Sequence, residues 1–268
     1  MRRIASRQNP IVARYRQAAR GDDVLLLDGP HLVQDALAAG VRVKEAAVTV
    51  EAGDSAEIQY LLERFNESGV DVVSVTAPVM NALSPVRSSS AIVALADPPD
   101  RAAMVFGDGH PDPFVVVAVG VQDPGNLGAV IRVAEAAGAT GAIVAGASAN
   151  PYGWKALRGS MGSALRLPII TGELERALPE IREHRCRIVA AVPRGGRSLF
   201  DADLAGPLAI LIGGEGAGLP PDALDLADVR VSIPMHTPVE SLNTAVSAAL
   251  LAYEARRQRV HVHRPVAL

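Results

Sequence analysis

Toward the C-terminal end of the chain, Leu242, Ala245, Val246, Ala249, Leu250 and Tyr253 recur at the i, i+3, i+4, i+7 spacing of a helix with one buried face. Ser241 stands at the position of an N-cap. Arg256, Arg257 and Arg259 follow at the far end, where positive charge suits the helix dipole. Just before, residues 229–233 read as a short strand, and Pro234 and Pro238 keep the intervening loop out of both helix and ladder. A stiff polar loop feeding a helix is a place to hold a ligand. It is also an ordinary strand–loop–helix connection, and this stretch alone leaves both open.

The rest of the chain alternates apolar runs with helical periodicity. Strands are expected at 24–28, 45–50, 70–75 and 91–96, with helices at 12–19, 30–39, 55–67 and 78–83, which together make a small α/β domain over residues 1–97. Residues 98–113 carry Pro and Gly without a sustained period and read as a linker. From 114 to 268 a second domain is expected. Its first strand, Phe114–Val119, is apolar throughout, as suits a parallel strand buried on both faces. Further strands are expected at 142–145, 167–170, 187–192, 208–212 and 229–233, and helices at 126–137, 155–164, 174–183 and 220–227. This alternation predicts a parallel sheet covered on both sides.

Composition narrows the functional classes. Hydrophobic residues are 49% of the 268, enough for a sizeable core, whereas aromatics are only 3%, which argues against a base-stacking surface of Phe, Tyr and Trp. Cys186 is the single cysteine, so no intrachain disulfide forms and a reducing compartment fits best. No apolar signal segment follows the basic start, and the longest apolar run, 114–121, is too short to span a bilayer. A cytoplasmic protein without membrane contact is expected.

Net charge is −3, so any affinity for a polyanion must be local. Residues 1–20 hold Arg2, Arg3, Arg7, Arg14, Arg16 and Arg20 and no acid. Residues 140–172 hold only Lys155, Arg158 and Arg166, and Glu254 is followed by Arg256, Arg257, Arg259 and Arg264 with His261 and His263. Any one of these could be a solvated basic stretch; the three together point to RNA or DNA.

Three glycine- and proline-marked stretches each follow an apolar strand, at 121–139, 211–220 and 233–243. In a parallel sheet they converge beyond the carboxyl ends of the strands, where ligands bind. Gly120, Gly125 and Gly128 have the wrong spacing for a dinucleotide fingerprint, and the alternation of Gly214, Gly216 and Gly218 meets Leu219 where a third glycine belongs. No Walker sequence, nucleophile elbow or convincing metal-ligand spacing is present, and His261-x-His263 falls in a basic tail.

Taken in order, the stretches resemble the SpoU/TrmH branch of the SPOUT RNA methyltransferases. Asn126, Gly128 and Arg132 match the family's first motif. Gly213, Glu215 and Gly218 match its second, and Ile233, Pro234, Met235, Ser241, Leu242 and Asn243 its third. The resemblance covers 114–259, and residues 150–168 are similar to the family's segment after the second strand. More loosely, residues 1–40 resemble the family's N-terminal RNA-binding domain, with Asp28-Gly29 where Glu-Gly is commoner.

The resemblance implies a deep trefoil knot, S-adenosylmethionine as cofactor with no metal, and a homodimer whose sites use both subunits. It implies transfer of a methyl group to a ribose 2′-hydroxyl of RNA, ribosomal RNA first and transfer RNA second. A resistance enzyme acting on ribosomal RNA, a non-catalytic RNA-binding or assembly protein, and a small-molecule methyltransferase are the alternatives. By resemblance Arg132 is the catalytic group. Guanidinium chemistry favours phosphate binding and oxyanion stabilisation over proton abstraction. Asn126, Glu215, Ser241 and Asn243 complete the expected catalytic set. Glu215 is an Arg-positioning or intersubunit carboxylate, or else a charge on a surface turn. Ser241 acts at the ribose or only caps the helix. Asn243, just inside the expected helix, is a poor helix former and so a candidate ligand contact. Ala191, Gly213, Ile233, Leu242 and Asn243 match cofactor positions, and Arg2, Arg3, Arg7, Arg14, Arg16 and Arg158 are the RNA-binding candidates.

Overall fold

In the computed structural model the chain forms two compact units, one of Met1–Asp100 with Tyr152–Arg166 and the other of Arg101–Pro151 with Leu167–Leu268. The structure describes residues 1–262 except Asp22, Asp54, 87–89 and 108–109. The side chains of His261 and Val262, and the whole of His263 and Arg264 from the expected basic tail, lie outside the described residues.

The first unit runs β1 (Arg2–Ile4), α1 (Pro10–Ala18), β2 (Leu25–Asp28), α2 (Pro30–Ala38), β3 (Val43–Thr49), α3 (Ala56–Ser68), β4 (Asp71–Val75), α4 (Ala77–Leu83) and β5 (Ile92–Ala96). Its sheet has the order β1-β4-β3-β5-β2. β1, β4 and β3 are parallel, and β5 is antiparallel to both neighbours. Asn9 starts α1 by accepting a hydrogen bond from the Ile11 amide at 3.1 Å, with Pro10 at the first helical position, where its missing N–H costs nothing. Ile11, Val12 and Tyr15 of α1 pack with Val79 and Met80 of α4 on one face of the sheet, and α2 and α3 lie together on β2, β5 and β4. The strand β1 was not expected from the sequence. It is short and basic, and only its distant partner β4 makes it a strand.

The second unit holds β6 (Phe114–Val119), α5 (Pro124–Ala137) and β7 (Gly141–Ala145), then, after the 152–166 segment, β8 (Ile169–Gly172), α8 (Leu174–Glu183), β9 (Arg187–Ala191), β10 (Arg197–Ser198), β11 (Leu208–Gly213), α9 (Pro221–Asp225), β12 (Val229–Ser232) and α10 (Thr244–Val262). Its seven strands are all parallel, in the order β10-β12-β9-β11-β6-β7-β8, as the alternation predicts. Val115, Val117 and Val119 of β6 join Ala209 and Leu211 of β11 in a core with Leu174, Ala177 and Ile181 of α8. The alternate residues Phe114, Val116 and Ala118 are equally buried and point the other way, toward the side where α5 and α10 pack on each other.

Two boundaries differ from the sequence reading. The expected linker is partly core: Val105 and Phe106 are buried in the second unit, with Phe106 stacked on His184 at 5.0 Å. Residues 152–166, expected in the second domain, belong to the first unit as α6 (Trp154–Ser160) and α7 (Ser163–Arg166). α6 lies against β2, an edge strand, and Trp154 packs on the core beneath α1 and α4. Arg166 pairs with Asp35 of α2 at 3.1 Å. The segment thus covers a sheet edge that would otherwise expose unpaired backbone groups. Gly162 is needed there: its φ is +78°, and a Cβ would lie 2.2 Å from Asp35 Oδ2.

Helix α10 also differs. It begins at Thr244 rather than Ser241, and it buries Ala248, Leu251, Ala252 and Ala255. Val246 is 47% exposed, Leu250 43% and Tyr253 51%, although these were expected in the buried face. The helix is apolar on two sides, so its period announces a helix without saying which side packs. Close contact with α5 selects the small residues.

Candidate active site

Loops at the carboxyl ends of β6, β11 and β12 meet in the second unit. After β6, Val121 is fastened to the loop after β7. Its amide donates to Ser148 Oγ at 3.0 Å, and its carbonyl accepts from the Ala149 amide at 2.8 Å. Ser148 Oγ also donates to the Ala145 carbonyl at 2.7 Å, so one side chain ties two strand ends together. Asp123 then caps α5, accepting from the Asn126 amide at 2.8 Å, with Pro124 in the first turn. After β11 the chain doubles back. A Cβ on Gly213 would lie 2.2 Å from the Gly218 backbone, and one on Gly214 2.0 Å from the Gly120 carbonyl oxygen. Only glycine lets these loops touch.

The closure brings three side chains from three motifs together. Asn126 Nδ2 donates to Glu215 Oε1 at 2.6 Å. Asn243 Nδ2 donates to Asn126 Oδ1 and to Glu215 Oε1, both at 3.1 Å. Asn243 Oδ1 in turn accepts from the Ala245 and Val246 amides at 2.9 and 3.3 Å. Asn243, not Ser241, is therefore the cap of α10, and its position is favourable helix chemistry rather than the poor helix chemistry expected of an interior asparagine. The cap also fixes the amide's direction. With its oxygen held by the helix N–H groups, its nitrogen must face Glu215 and Asn126, and only a donor satisfies both.

Beside this network lies a cavity of about 400 Å³. Ala191, Gly213, Ile233, Leu242 and Asn243, the five expected cofactor positions, all line it, and so do Glu215 and Ser241. Its walls also include Val192, Ile212, Met235, Thr244 and Ser247. Thr244 is buried and donates to the Gly213 carbonyl at 3.3 Å, pinning one wall. Sequence reasoning missed Thr244, Ser247 and Ser148. The first two lie on the helix turn following Asn243, which is the available signal; Ser148 has none.

Arg132 is exposed on α5, is not among the cavity walls, and has no hydrogen-bond or ion-pair partner among the described residues. Of the RNA candidates, the side chains of Arg2, Arg3, Arg7 and Arg158 are exposed and similarly unpartnered among the described residues. Arg14 is paired with Glu45 at 2.6 Å, and Arg16 donates to the Ala82 carbonyl at 3.2 Å. Two of the arginines near the end of α10 are engaged as well, whereas Arg256 is exposed and without a hydrogen-bond or ion-pair partner among the described residues. Arg257 pairs with Glu254 at 2.6 Å, and Arg259 donates to the Gly206 and Asp112 carbonyls. Arg257 and Arg259 are thus tied to the protein, and Arg256 is the member of this stretch left free among the described residues. Among the described residues no group of three or more His, Cys, Asp or Glu could hold a metal ion, and no helix is long and apolar enough to cross a membrane.

An all-parallel α/β domain with a glycine-bounded cavity beyond its strands, carrying a polar network on the rim, defines a small-molecule or cofactor-binding enzyme class. Comparison with known proteins makes this specific. Residues 113–253 match the SpoU rRNA Methylase family, and the chain belongs to it. It is 35% identical to a solved RNA 2′-O ribose methyltransferase, with a TM-score of 0.81 over 96% of this chain and 99% of that one. It is 28% identical to the AdoMet-bound rRNA methyltransferase of Sinorhizobium meliloti, with a TM-score of 0.83 over 96% and 97%. It is also 27% identical to the 23S rRNA (guanosine(2553)-2′-O)-methyltransferase RlmP of Bacillus subtilis, over 87% of this chain and 89% of the relative.

Proposed function

We propose that this protein transfers a methyl group from S-adenosylmethionine to a ribose 2′-hydroxyl of ribosomal RNA, as a cytoplasmic homodimer without a metal. The observation that carries the reading is the Asn126–Glu215–Asn243 network on the rim of the cavity, three motifs joined by hydrogen bonds. The residues present fit the cofactor. The cavity of about 400 Å³ lies within the roughly 300–1,000 Å³ usual for small-molecule sites. Val192, Ile212, Ile233 and Leu242 offer apolar walls for a purine, and the Gly213–Gly214 backbone leaves its edge room for main-chain contact.

When bound, the cofactor supplies an electrophilic methyl group on a positively charged sulfur. The chain's own part is to orient the ribose hydroxyl in line and to ease loss of its proton. Arg132 takes the substrate phosphate and stabilises the developing oxyanion. Asn126, Glu215 and Asn243 hold the rim rigid, and Ser241, freed from capping, faces the ribose. Arg2, Arg3, Arg7 and Arg158 bind RNA phosphates, with Arg14 and Arg16 held by protein partners.

Arg132 stands outside the cavity walls, which suits a site completed by a second copy. The exposed Val246, Leu250 and Tyr253 of α10 provide an apolar face for that copy. The trefoil knot fits the same reading, since the 233–243 segment reaches both the β6 and β11 loops. The test is a tritiated-methyl assay of the full chain on ribosomal and transfer RNA, with the product mapped for 2′-O-methylation. Methylation of ribosomal RNA is expected. Transfer only to tRNA would replace the substrate, and no transfer despite cofactor binding would leave a non-catalytic RNA-binding protein.

A further inference from the structure

The cavity's walls explain how a nucleoside would be held but not how an amino-acid tail would be. Among the described residues Glu215 is the one charged group in those walls, and both neighbouring asparagines donate to its Oε1. Immediately outside stand two opposite charges. Arg194 follows Pro193, which lines one side, and Glu240 precedes Ser241, which lines another. Their side chains meet at 3.0 Å, so the pair joins the loop after β9 to the loop before α10. The two side chains are 70% and 78% exposed, and so open a pair is worth at most about 1 kcal/mol. It can be exchanged for other partners at little cost.

We infer that Arg194 and Glu240 are a clamp for the zwitterionic amino-acid end of the cofactor, Arg194 taking the carboxylate and Glu240 the ammonium. This inference rests on the cavity being an S-adenosylmethionine site. The amino-acid end presents a negative and a positive group on one carbon, and a preformed Arg–Glu pair offers the complement of both. An arginine fork grips both oxygens of a carboxylate, and charge-assisted bonds of this kind are the strong ones. Exchanging one pair for two leaves no charge unmatched. The clamp makes these positions determinants of specificity for the intact cofactor and its demethylated product over tail-less adenosyl compounds.

The experiment is calorimetry on the full-length protein with S-adenosylmethionine, S-adenosylhomocysteine and 5′-methylthioadenosine, which carries the nucleoside and sulfur but no amino acid. Arg194→Gln and Glu240→Gln should each weaken the two tailed ligands by about tenfold, with methylthioadenosine unchanged. The doubly exchanged variant, Arg194→Glu with Glu240→Arg, restores a bridge between the loops but reverses its polarity. It should bind tailed ligands no better than the single variants. Recovery in the exchanged variant would show that the pair only straps the loops together and would overturn the clamp, as would equal losses for all three ligands or no loss at all. A wild-type protein that binds none of the three would remove the cavity reading itself, and the clamp with it. Wild-type binding of methylthioadenosine as tight as that of the tailed ligands would remove the clamp alone.

Discussion

Arg132 and Arg259 sit on α5 and α10, two helices that pack on each other, yet their surroundings are opposite. Arg132 projects into solvent with no partner among the described residues. Arg259 is part-buried, donates to the carbonyls of Gly206 and Asp112, and stacks its guanidinium 5.6 Å from the Phe114 ring centre. Burial pulls its pKa below the ordinary arginine value. Around Arg259, Gln258 accepts from the Leu204 amide at 2.7 Å and donates to the Ala202 carbonyl at 2.9 Å, and Arg257 pairs with Glu254. Arg259 has spent its hydrogen-bonding capacity on the protein; Arg132 keeps its own for something else. Charge alone does not mark a functional arginine. Unused donors on a rigid element are what the Arg132→Ala variant puts to the test.

The largest expected effect comes from removing the unused donors. Arg132→Ala should lower kcat/KM by about a hundredfold or more, the usual cost of losing one stabiliser of transition-state charge. S-adenosylmethionine affinity and melting temperature should stay near wild type, because no contact within the described residues is lost. Arg132→Lys should recover little, since a point charge cannot reproduce the planar fork. Calorimetry beside the tritiated-methyl assay separates the two readouts. Full activity in Arg132→Ala would make the two arginines equivalent and dissolve the contrast.

The second effect is the inverse. Arg259→Ala should reduce stability by about 2–3 kcal/mol, through two carbonyls left without their donor and a lost cation–π contact. Activity per folded molecule should survive. Denaturant unfolding gives the first quantity and the methyl assay at low temperature the second. A loss of activity without a loss of stability would put Arg259 on the RNA side after all.

How far the sequence foretold this contrast depends on the range of the contacts involved. The convergence of the three marked stretches was legible because a parallel sheet gathers its strand ends, and within them Asn126, Glu215 and Asn243 were picked out by the family resemblance. The cavity positions came from the resemblance to the family, residue by residue, and not from the topology. The anchorage was not legible: Arg259 finds its partners at Gly206 and Asp112, and nothing near Arg259 in the chain tells a tethered arginine from a free one. The buried side of α10 was misread because periodicity sees two apolar faces and cannot weigh them. Residues 152–166 look like one more helix of the second domain until Trp154 and Arg166 are seen packed in the first unit. A fragment beginning at residue 114 would strip that helix of its core and lose Val105 and Phe106 as well.

The smallest expected effect concerns pH at the anchored end. The Arg257 guanidinium holds the Glu254 carboxyl below the usual glutamate range. A carboxyl whose folded pKa is depressed contributes stability above its unfolded pKa, about 4.3, and loses it as pH falls through the lower folded value. Glu254→Gln keeps the shape and removes the charge. At pH 7 the variant should melt about 1–2 °C below wild type, the scale of a single surface pair in a chain of this size. The gap should begin to narrow as pH falls below the unfolded value and should close once pH lies below the depressed folded value, where the wild-type carboxyl is neutral in both states. Melting curves from pH 7 to pH 3 measure it. A gap that persists undiminished at pH 3 would mean that Glu254 acts through shape, and that the anchored end is held by Arg259 and Gln258 without help from this charge.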